Sequence, residues 1–108
     1  MVEYKYWTGH ITDVLESLNR SIGQYKSHYS TVKIGITGRD PQIRFNEHKR
    51  DKGWERMIVL YKTSSIYNAN QIEALLINQH FYDIVNQRSG GGSDLSPYGD
   101  NYLYVLLM

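Results

Sequence analysis

The sequence contains no cysteine, has only two prolines among its 108 residues, and carries a formal net charge of +1. The absence of cysteine excludes disulfides and thiolate metal ligands, so nothing in the composition demands an oxidising compartment. Such a small net charge does not by itself indicate a polyanionic partner. No segment approaches the roughly 20 apolar residues of a membrane span, and the N-terminus lacks the apolar core of a signal peptide. We therefore expect a cytoplasmic chain that makes no contact with a membrane.

Apolar residues make up 41% of the sequence, which is typical of a folded protein, and the length suits a single domain over residues 1–108. The charges are unevenly distributed along it. Seven basic and four acidic residues lie between Lys33 and Arg56, and the rest of the chain is slightly negative. A positive stripe of this kind could steer a nucleic-acid backbone, but a helix face in contact with water explains it equally well.

The hydrophobic pattern of the first third predicts a strand followed by a helix. The opening segment EYKYW alternates weakly and suits a short strand. Apolar residues then recur at helical spacing over residues 11–22. Thr8 or Thr12 could cap this helix, and Gly23 should end it. Residues 24–31 are polar and aromatic, and we expect a loop or a weak strand there.

Turn and cap residues predict the next helix most sharply. Asp40 is a good N-cap, Pro41 is a good first helical residue, and Gly53 is a good stop, so a helix should run over residues 41–51. The remaining pattern predicts a central strand over residues 57–61, a helix over residues 68–82, a glycine-rich loop, and a closing strand in the segment YLYVLLM. Together these elements predict an α+β fold, with a small antiparallel or mixed sheet flanked by helices.

Glu73 breaks the hydrophobic pattern of its helix. At 100° per residue it falls inside the apolar arc, and its neighbours three and four residues away are Ala69, Leu76, Ile77 and His80. A carboxylate that points toward a core is costly unless pairing, hydrogen bonding or a cation compensates it. Three interpretations follow: an ion pair with a basic residue of the sheet, an acid that reaches water at the edge of the arc, or a metal ligand.

A second group of polar residues lies on one strand–turn–helix unit. Lys33, Gly35 and Thr37 should share one strand face, and glycine there leaves room for a close approach. Arg44 and His48 are four residues apart and should share a helix face. Arginine offers a rigid fork of donors to phosphate oxygens, and histidine can donate a hydrogen bond or carry a proton. Each residue alone is more often an ordinary surface group.

The order of these motifs resembles that of the GIY-YIG nuclease family. The segment KIGITGRDPQIRFNEH matches the second signature strand of that family and the helix after it, and NANQIEALLINQHF resembles its metal-binding glutamate helix. Asn86, thirteen residues after Glu73, falls where the family often has an asparagine. The resemblance covers residues 23–86.

The resemblance implies a metal-dependent endonuclease that hydrolyses phosphodiester bonds of DNA. In such enzymes a tyrosine assists the attacking water, an arginine stabilises the developing charge and a glutamate binds a divalent cation. Mapped onto this sequence, Arg44 is the charge stabiliser, Glu73 holds Mg²⁺ (or Mn²⁺), and His48 is a phosphate donor or proton carrier. Asn86 would orient its neighbours in the site.

The chain departs from the signatures of that family at two points. Lys33 replaces the tyrosine that is usual in the second signature, and a lysine there would favour the phenolate of a nearby tyrosine. The literal match to the first signature is the segment GQY, which nominates Tyr25 as the water-activating tyrosine. Tyr29 is a rival nearby, and Tyr6 or Tyr104 would serve if its strand fills the missing edge of the sheet.

Two alternatives to an enzyme stay open at the level of the sequence. The chain could be a nucleic-acid-binding module that keeps the fold without the chemistry, or a protein–protein adaptor that does not touch nucleic acid. An endonuclease this small would need loops, a homodimer or a targeting partner for its specificity.

Overall fold

The computed structural model describes residues 1–85 and 95–108, which form an α+β structure around one mixed sheet. The elements are β1 (Val2–Trp7), α1 (Ile11–His28), β2 (Val32–Thr37), α2 (Pro41–Lys52), β3 (Arg56–Thr63), α3 (Ile66–Gln79), a 3₁₀ turn (Phe81–Asp83) and β4 (Asn101–Leu107). The predicted fold class is confirmed.

The strand order β1-β3-β4-β2 places the last strand of the chain inside the sheet. β1 runs parallel to β3, whereas β4 is antiparallel to both β3 and β2. The apolar run Met57–Tyr61 lies in an interior strand and is buried throughout, as its sequence predicts. β2 is an edge strand whose partner is β4, and this pairing sets Gly35 opposite Tyr104.

Two hydrophobic clusters lie on opposite faces of this sheet. On one face, α1 and α3 pack against β2, β3 and β4 through residues such as Leu18, Ile34 and Ile72. On the other face, α2 contributes Phe45 to a smaller cluster of buried residues, which consists of Phe45, Trp54, Met57, Val59, Tyr104 and Leu106. Since side chains alternate along a strand, Lys33, Gly35 and Thr37 of β2 point toward the α2 face.

The helix α2 begins and ends where its sequence predicts, to within one residue. The Asp40 side chain accepts a hydrogen bond from the Gln42 amide at 2.9 Å, and Pro41 is the first helical residue. Gly53 adopts the left-handed conformation, with φ 68° and ψ 35°, and its amide donates to the Lys49 carbonyl. This C-terminal conformation favours glycine because it lacks a Cβ.

The predicted end of the first helix at Gly23 is wrong, and of the loop or strand predicted for residues 24–31 only residues 29–31 form a loop, whereas residues 24–28 are helical. α1 continues to His28, and its N-cap is His10, whose side chain accepts from the Thr12 amide at 3.2 Å. Glycine within a helix costs only about 1 kcal/mol. Tyr25 packs against the same hydrophobic cluster as the apolar residues before it, so helix packing continues past the glycine.

The third helix is displaced from its predicted bounds by two or three residues. Ser65 caps it by accepting from the Asn68 amide at 3.0 Å, and the helix ends at Gln79. Tyr82, predicted as its last residue, lies in the 3₁₀ turn. Most of the predicted glycine-rich loop falls outside the described residues.

Gly35 allows a close approach between β2 and the ring of Tyr104. A Cβ atom built on Gly35 would lie 2.5 Å from both Cζ and Oη of Tyr104. Contacts of that length do not occur between real carbon atoms, so an alanine would displace the tyrosine ring. Glycine is therefore required by the position of Tyr104 and not by a turn of the backbone.

We predict that Gly35→Ala destabilises the protein by about 1–3 kcal/mol, because overpacking forces a buried ring out of place. Urea unfolding measures the free energy. The matched control is Gly23→Ala, since nothing lies within 4 Å of a Cβ at that helical position; it should stabilise the protein by about 0.5–1 kcal/mol. Equal effects of the two alanines would contradict the contact between Gly35 and Tyr104.

Candidate active site

A polar cluster lies on the α2 face of the sheet, directly over Gly35. The Tyr104 hydroxyl and His48 Nε2 are joined by a hydrogen bond of 2.9 Å. Their rings meet edge to face, with centroids 5.8 Å apart. His48 is 7% exposed and Tyr104 is 2% exposed, so both side chains are buried. β4, β2 and α2 together hold this pair in position.

The guanidinium of Arg44 is held in place by Glu47, one turn along the same helix. Arg44 Nη1 donates to Glu47 Oε1 at 2.9 Å, and Arg39 donates to both carboxylate oxygens at 2.7 and 2.9 Å. These hydrogen bonds, from Arg39 first and Arg44 second, lower the pKa of Glu47 to about 2. The carboxylate therefore stays ionised and fixes both guanidinium groups near neutral pH.

The environment of Lys33 and His48 is electropositive. Burial is the main cause that lowers the pKa of each group, and the charge of Arg44 is the second. The pKa of His48 falls to about 4, with a further contribution from Lys33, so the imidazole is neutral at pH 7. The part of these shifts that comes from the positive charge of Arg44 favours an anion, whereas burial disfavours a charge of either sign.

Further basic residues lie on the exposed side of α2, away from the polar cluster. Lys49 and Arg50 line a shallow hollow of about 440 Å³ together with Asn46. At 100° per residue these three residues lie on the side of the helix opposite Arg44 and His48, so the basic residues of α2 are divided between two sides of the helix.

Glu73 points inward, as its place in the apolar arc predicts, and is 3% exposed. It belongs to α3, which covers the opposite face of the sheet from α2 and packs on the edge strand β2. Arg44 and Glu73 thus belong to helices that cover opposite faces of the sheet. Asn86 lies outside the described residues.

Tyr25 is not part of the polar cluster. It lines a separate cleft of about 400 Å³ on the α1 face of the sheet, with Lys5, Gln24, His28, Tyr29 and Arg56. Burial raises the pKa of the Tyr25 phenol. Tyr29, the nearby rival, accepts a hydrogen bond from Arg56, which also pairs with Glu3. The GQY segment is helical, so it matches the signature strand in amino-acid sequence but not in secondary structure.

Of the four tyrosines that the sequence nominates, the structure brings Tyr104 to Arg44 and His48. Tyr6 lies on β1, at the far edge of the sheet, where Lys62 Nζ is 5.5 Å from its ring centroid. In the sequence, Glu47 is only one of the four acids between Lys33 and Arg56. Its spacing of three residues from Arg44 is the signal that could have identified it as the residue that positions the guanidinium.

A metal site built from several protein ligands is absent from the described part of the chain. No group of three histidine or acidic side chains there could hold a metal ion. None of the helices among these residues is both long and apolar enough to cross a membrane.

Comparison with known proteins gives one match. The model of the T5orf172 domain matches residues 19–91, and this domain is found in some endonucleases and DNA-binding proteins. Neither the curated proteins nor the solved structures contain a match to the chain. Because the matched segment covers more than half of its length, the chain belongs to the T5orf172 domain family.

Proposed function

We propose that this protein is a metal-dependent endonuclease of the GIY-YIG type, which hydrolyses phosphodiester bonds of DNA. The observation that carries the proposal is the hydrogen bond between Tyr104 and a neutral His48, next to Arg44 and Lys33. The hydrogen-bonded pair offers a path for a proton, and Arg44 and Lys33 add positive charge at the same place. A tyrosine with a purely structural role would need neither. Membership of a family found in endonucleases and DNA-binding proteins supports the same conclusion.

The proton path in this proposal runs from water to Tyr104 and then to His48. The oxygen of an attacking water forms a bond to phosphorus while the bond from phosphorus to the leaving ester oxygen breaks, and the leaving oxygen takes a proton from solvent. The Tyr104 hydroxyl takes a proton from the water and passes its own proton to Nε2 of His48. A neutral imidazole is required for this transfer, and His48 is neutral at pH 7. Its lowered pKa makes it a weak base in the free protein, and the negative charge that develops on the phosphate would raise that pKa as the proton arrives.

The negative charge that develops on the phosphate is opposed by groups of α2 and β2. Arg44 presents a guanidinium that Glu47 already holds in position, so little reorganisation is needed when the charge appears. Lys33 takes the place of the tyrosine usual in the second signature. Its ammonium group, on the same strand face as Gly35, binds a phosphate oxygen or favours the phenolate of Tyr104.

Glu73 is the residue that would hold the metal ion. A single buried carboxylate fits Mg²⁺ or Mn²⁺, since magnesium is commonly bound by one or two carboxylates together with water and substrate phosphate oxygens. It does not fit a zinc site, which needs three or four protein ligands. When bound there, the ion would supply a positive charge to the phosphate oxygens. For this role the phosphate has to lie across the edge strand β2, between α2 and α3.

We predict that Tyr104→Phe lowers the rate of DNA cleavage by roughly 100-fold or more, because general-base catalysis contributes about that much. Conversion of supercoiled plasmid to the nicked form measures the rate. Tyr25→Phe is the matched control and should cleave like the wild type. If instead Tyr25→Phe cleaves slowly and Tyr104→Phe cleaves like the wild type, the water-activating residue is Tyr25 in the α1 cleft.

We predict that Glu73→Gln abolishes nicking at every Mg²⁺ or Mn²⁺ concentration, since the amide keeps the shape of the side chain but removes the charge that binds the ion. A metal chelator should abolish nicking by the wild type. The control is Glu16→Gln, which alters an exposed acid on α1 that pairs with Arg20. Normal cleavage by Glu73→Gln would show that Glu73 does not take part in the reaction.

We predict that His48 makes the folded protein less stable as the pH falls from 6.5 toward 4. Its pKa is about 4 in the folded chain and near 6.5 in an unfolded one, so only the unfolded chain takes up the proton in this range. Between pH 6.5 and 5 the wild type should lose about 1–2 kcal/mol more than His48→Gln in urea unfolding. If the wild type and His48→Gln lose the same free energy of unfolding over this pH range, the result would contradict a neutral imidazole in the folded protein.

A DNA-binding module without catalysis is the second candidate. The observation that favours it is the placement of Arg44 and Glu73 on helices that cover opposite faces of the sheet. Under this alternative, wild-type protein binds DNA with an affinity that falls steeply with salt, and no metal ion produces nicks.

A further inference from the structure

The sheet face that carries Tyr104 continues beyond α2 to the outer strand β1. Across the sheet, Tyr4 pairs with Val59, Val59 with Tyr104, and Tyr104 with Gly35, so these four residues form one row. Tyr4 therefore lies two strands away from Tyr104 and on the same face of the sheet.

A second row lies next to the first and is richer in aromatic and charged groups. Tyr102 pairs with Lys62 on one side and with Thr37 on the other. The Lys62 ammonium is over the ring of Tyr6, and it also forms an ion pair with Asp100 at 3.5 Å. We name Tyr4, Tyr6, Lys62 and Tyr102 the tyrosine platform.

The rings of the tyrosine platform are accessible from solvent. Tyr4 is 51% exposed and Tyr6 is 42% exposed, although both lie on a strand of the sheet. Tyr102 is half-buried against the smaller hydrophobic cluster. The pKa of Tyr4 is raised by burial first and by Asp40 and Tyr102 next, which indicates that its hydroxyl lies near both groups. Flat aromatic surface of this kind, left open to water, is typical of a binding site.

Nucleobases are the ligand that suits this surface. Every base has a flat face that stacks on a tyrosine ring, and Tyr4 and Tyr6 present such rings to solvent. Paired bases inside a duplex do not present their faces, so the ligand has to be an unpaired strand. The platform shares its sheet face with Tyr104, and a strand that lies on it would lead toward the positive cluster over Gly35.

We propose that the tyrosine platform binds an unpaired nucleic-acid strand by stacking its bases, and that it guides this strand to the cluster of Tyr104, His48 and Arg44. The guiding role rests on the proposed function, whereas the stacking does not. The platform thereby gives the protein a preference for DNA that contains unpaired bases.

The test is the binding of a fluorescein-labelled 12-nucleotide thymidine strand and of a duplex of equal length, by fluorescence anisotropy in a metal chelator over a series of salt concentrations. We expect Tyr6→Leu to weaken binding of the single strand roughly 5- to 100-fold. The slope of affinity against salt should stay the same, because no phosphate contact is lost. Tyr6→Phe, which keeps the ring, should bind within about twofold of the wild type.

The matched control is Tyr82→Leu, which removes a tyrosine that is 95% exposed in the 3₁₀ turn, away from the platform. It should bind the single strand like the wild type, and Tyr6→Leu should affect the duplex less than twofold. The proposal is overturned if Tyr6→Leu and Tyr82→Leu bind alike, or if wild type prefers the duplex. Circular dichroism of each variant verifies that the sheet is intact.

Cleavage plays no part in this assay, so the two proposals fail separately. Nicking by wild type, together with unchanged strand binding by Tyr6→Leu, would reject the platform and keep the endonuclease. Loss of strand binding by Tyr6→Leu, in a wild-type protein that never nicks DNA, would reject the endonuclease and keep the platform.

Discussion

The hydrogen bond between Tyr104 and His48 depends on one constraint, which is the absence of a side chain at Gly35. The last strand of the chain inserts between β3 and β2, and the ring of Tyr104 then lies against the bare backbone of β2. Because α2 begins just after β2, its first two turns present Arg44 and His48 above the same point. The arrangement joins the last strand of the chain to a strand–helix unit that lies far earlier in the sequence.

The positive charges of Arg44 and Lys33 beside a neutral His48 favour an anion over a further cation. Lys33 and His48 both have lowered pKa values, with burial as the first cause and Arg44 as the second. Glu47 offsets some positive charge, but it is committed to Arg39 and Arg44 through hydrogen bonds. A half-buried lysine next to a guanidinium destabilises the folded protein through desolvation and charge repulsion. Because this cost brings no gain in stability, it supports a role for Lys33 in binding.

The sequence predicts the parts of the fold that local signals determine, and it fails where packing or strand order decides. Asp40 and Gly53 define α2 because a cap and a left-handed glycine are local features. Gly23 misleads because contacts of the helix with the core outweigh its low helix propensity. Tyr104 is one of four candidate water-activating tyrosines in the sequence. The sequence does not distinguish it from the other three, since its position depends on β4 entering the sheet beside β2. The inward direction of Glu73 follows from helical periodicity alone.

The most direct test of the account asks which cleft receives the phosphate. The ring resonances of histidine and tyrosine would be followed by NMR while a cleavage-resistant phosphorothioate oligonucleotide is added to the wild-type protein. The account predicts that the signals of His48 and Tyr104 shift first, and that the His48 imidazole is neutral before the addition. Shifts confined to Tyr25 and His28, with His48 unchanged, would place the ligand in the α1 cleft and contradict the account.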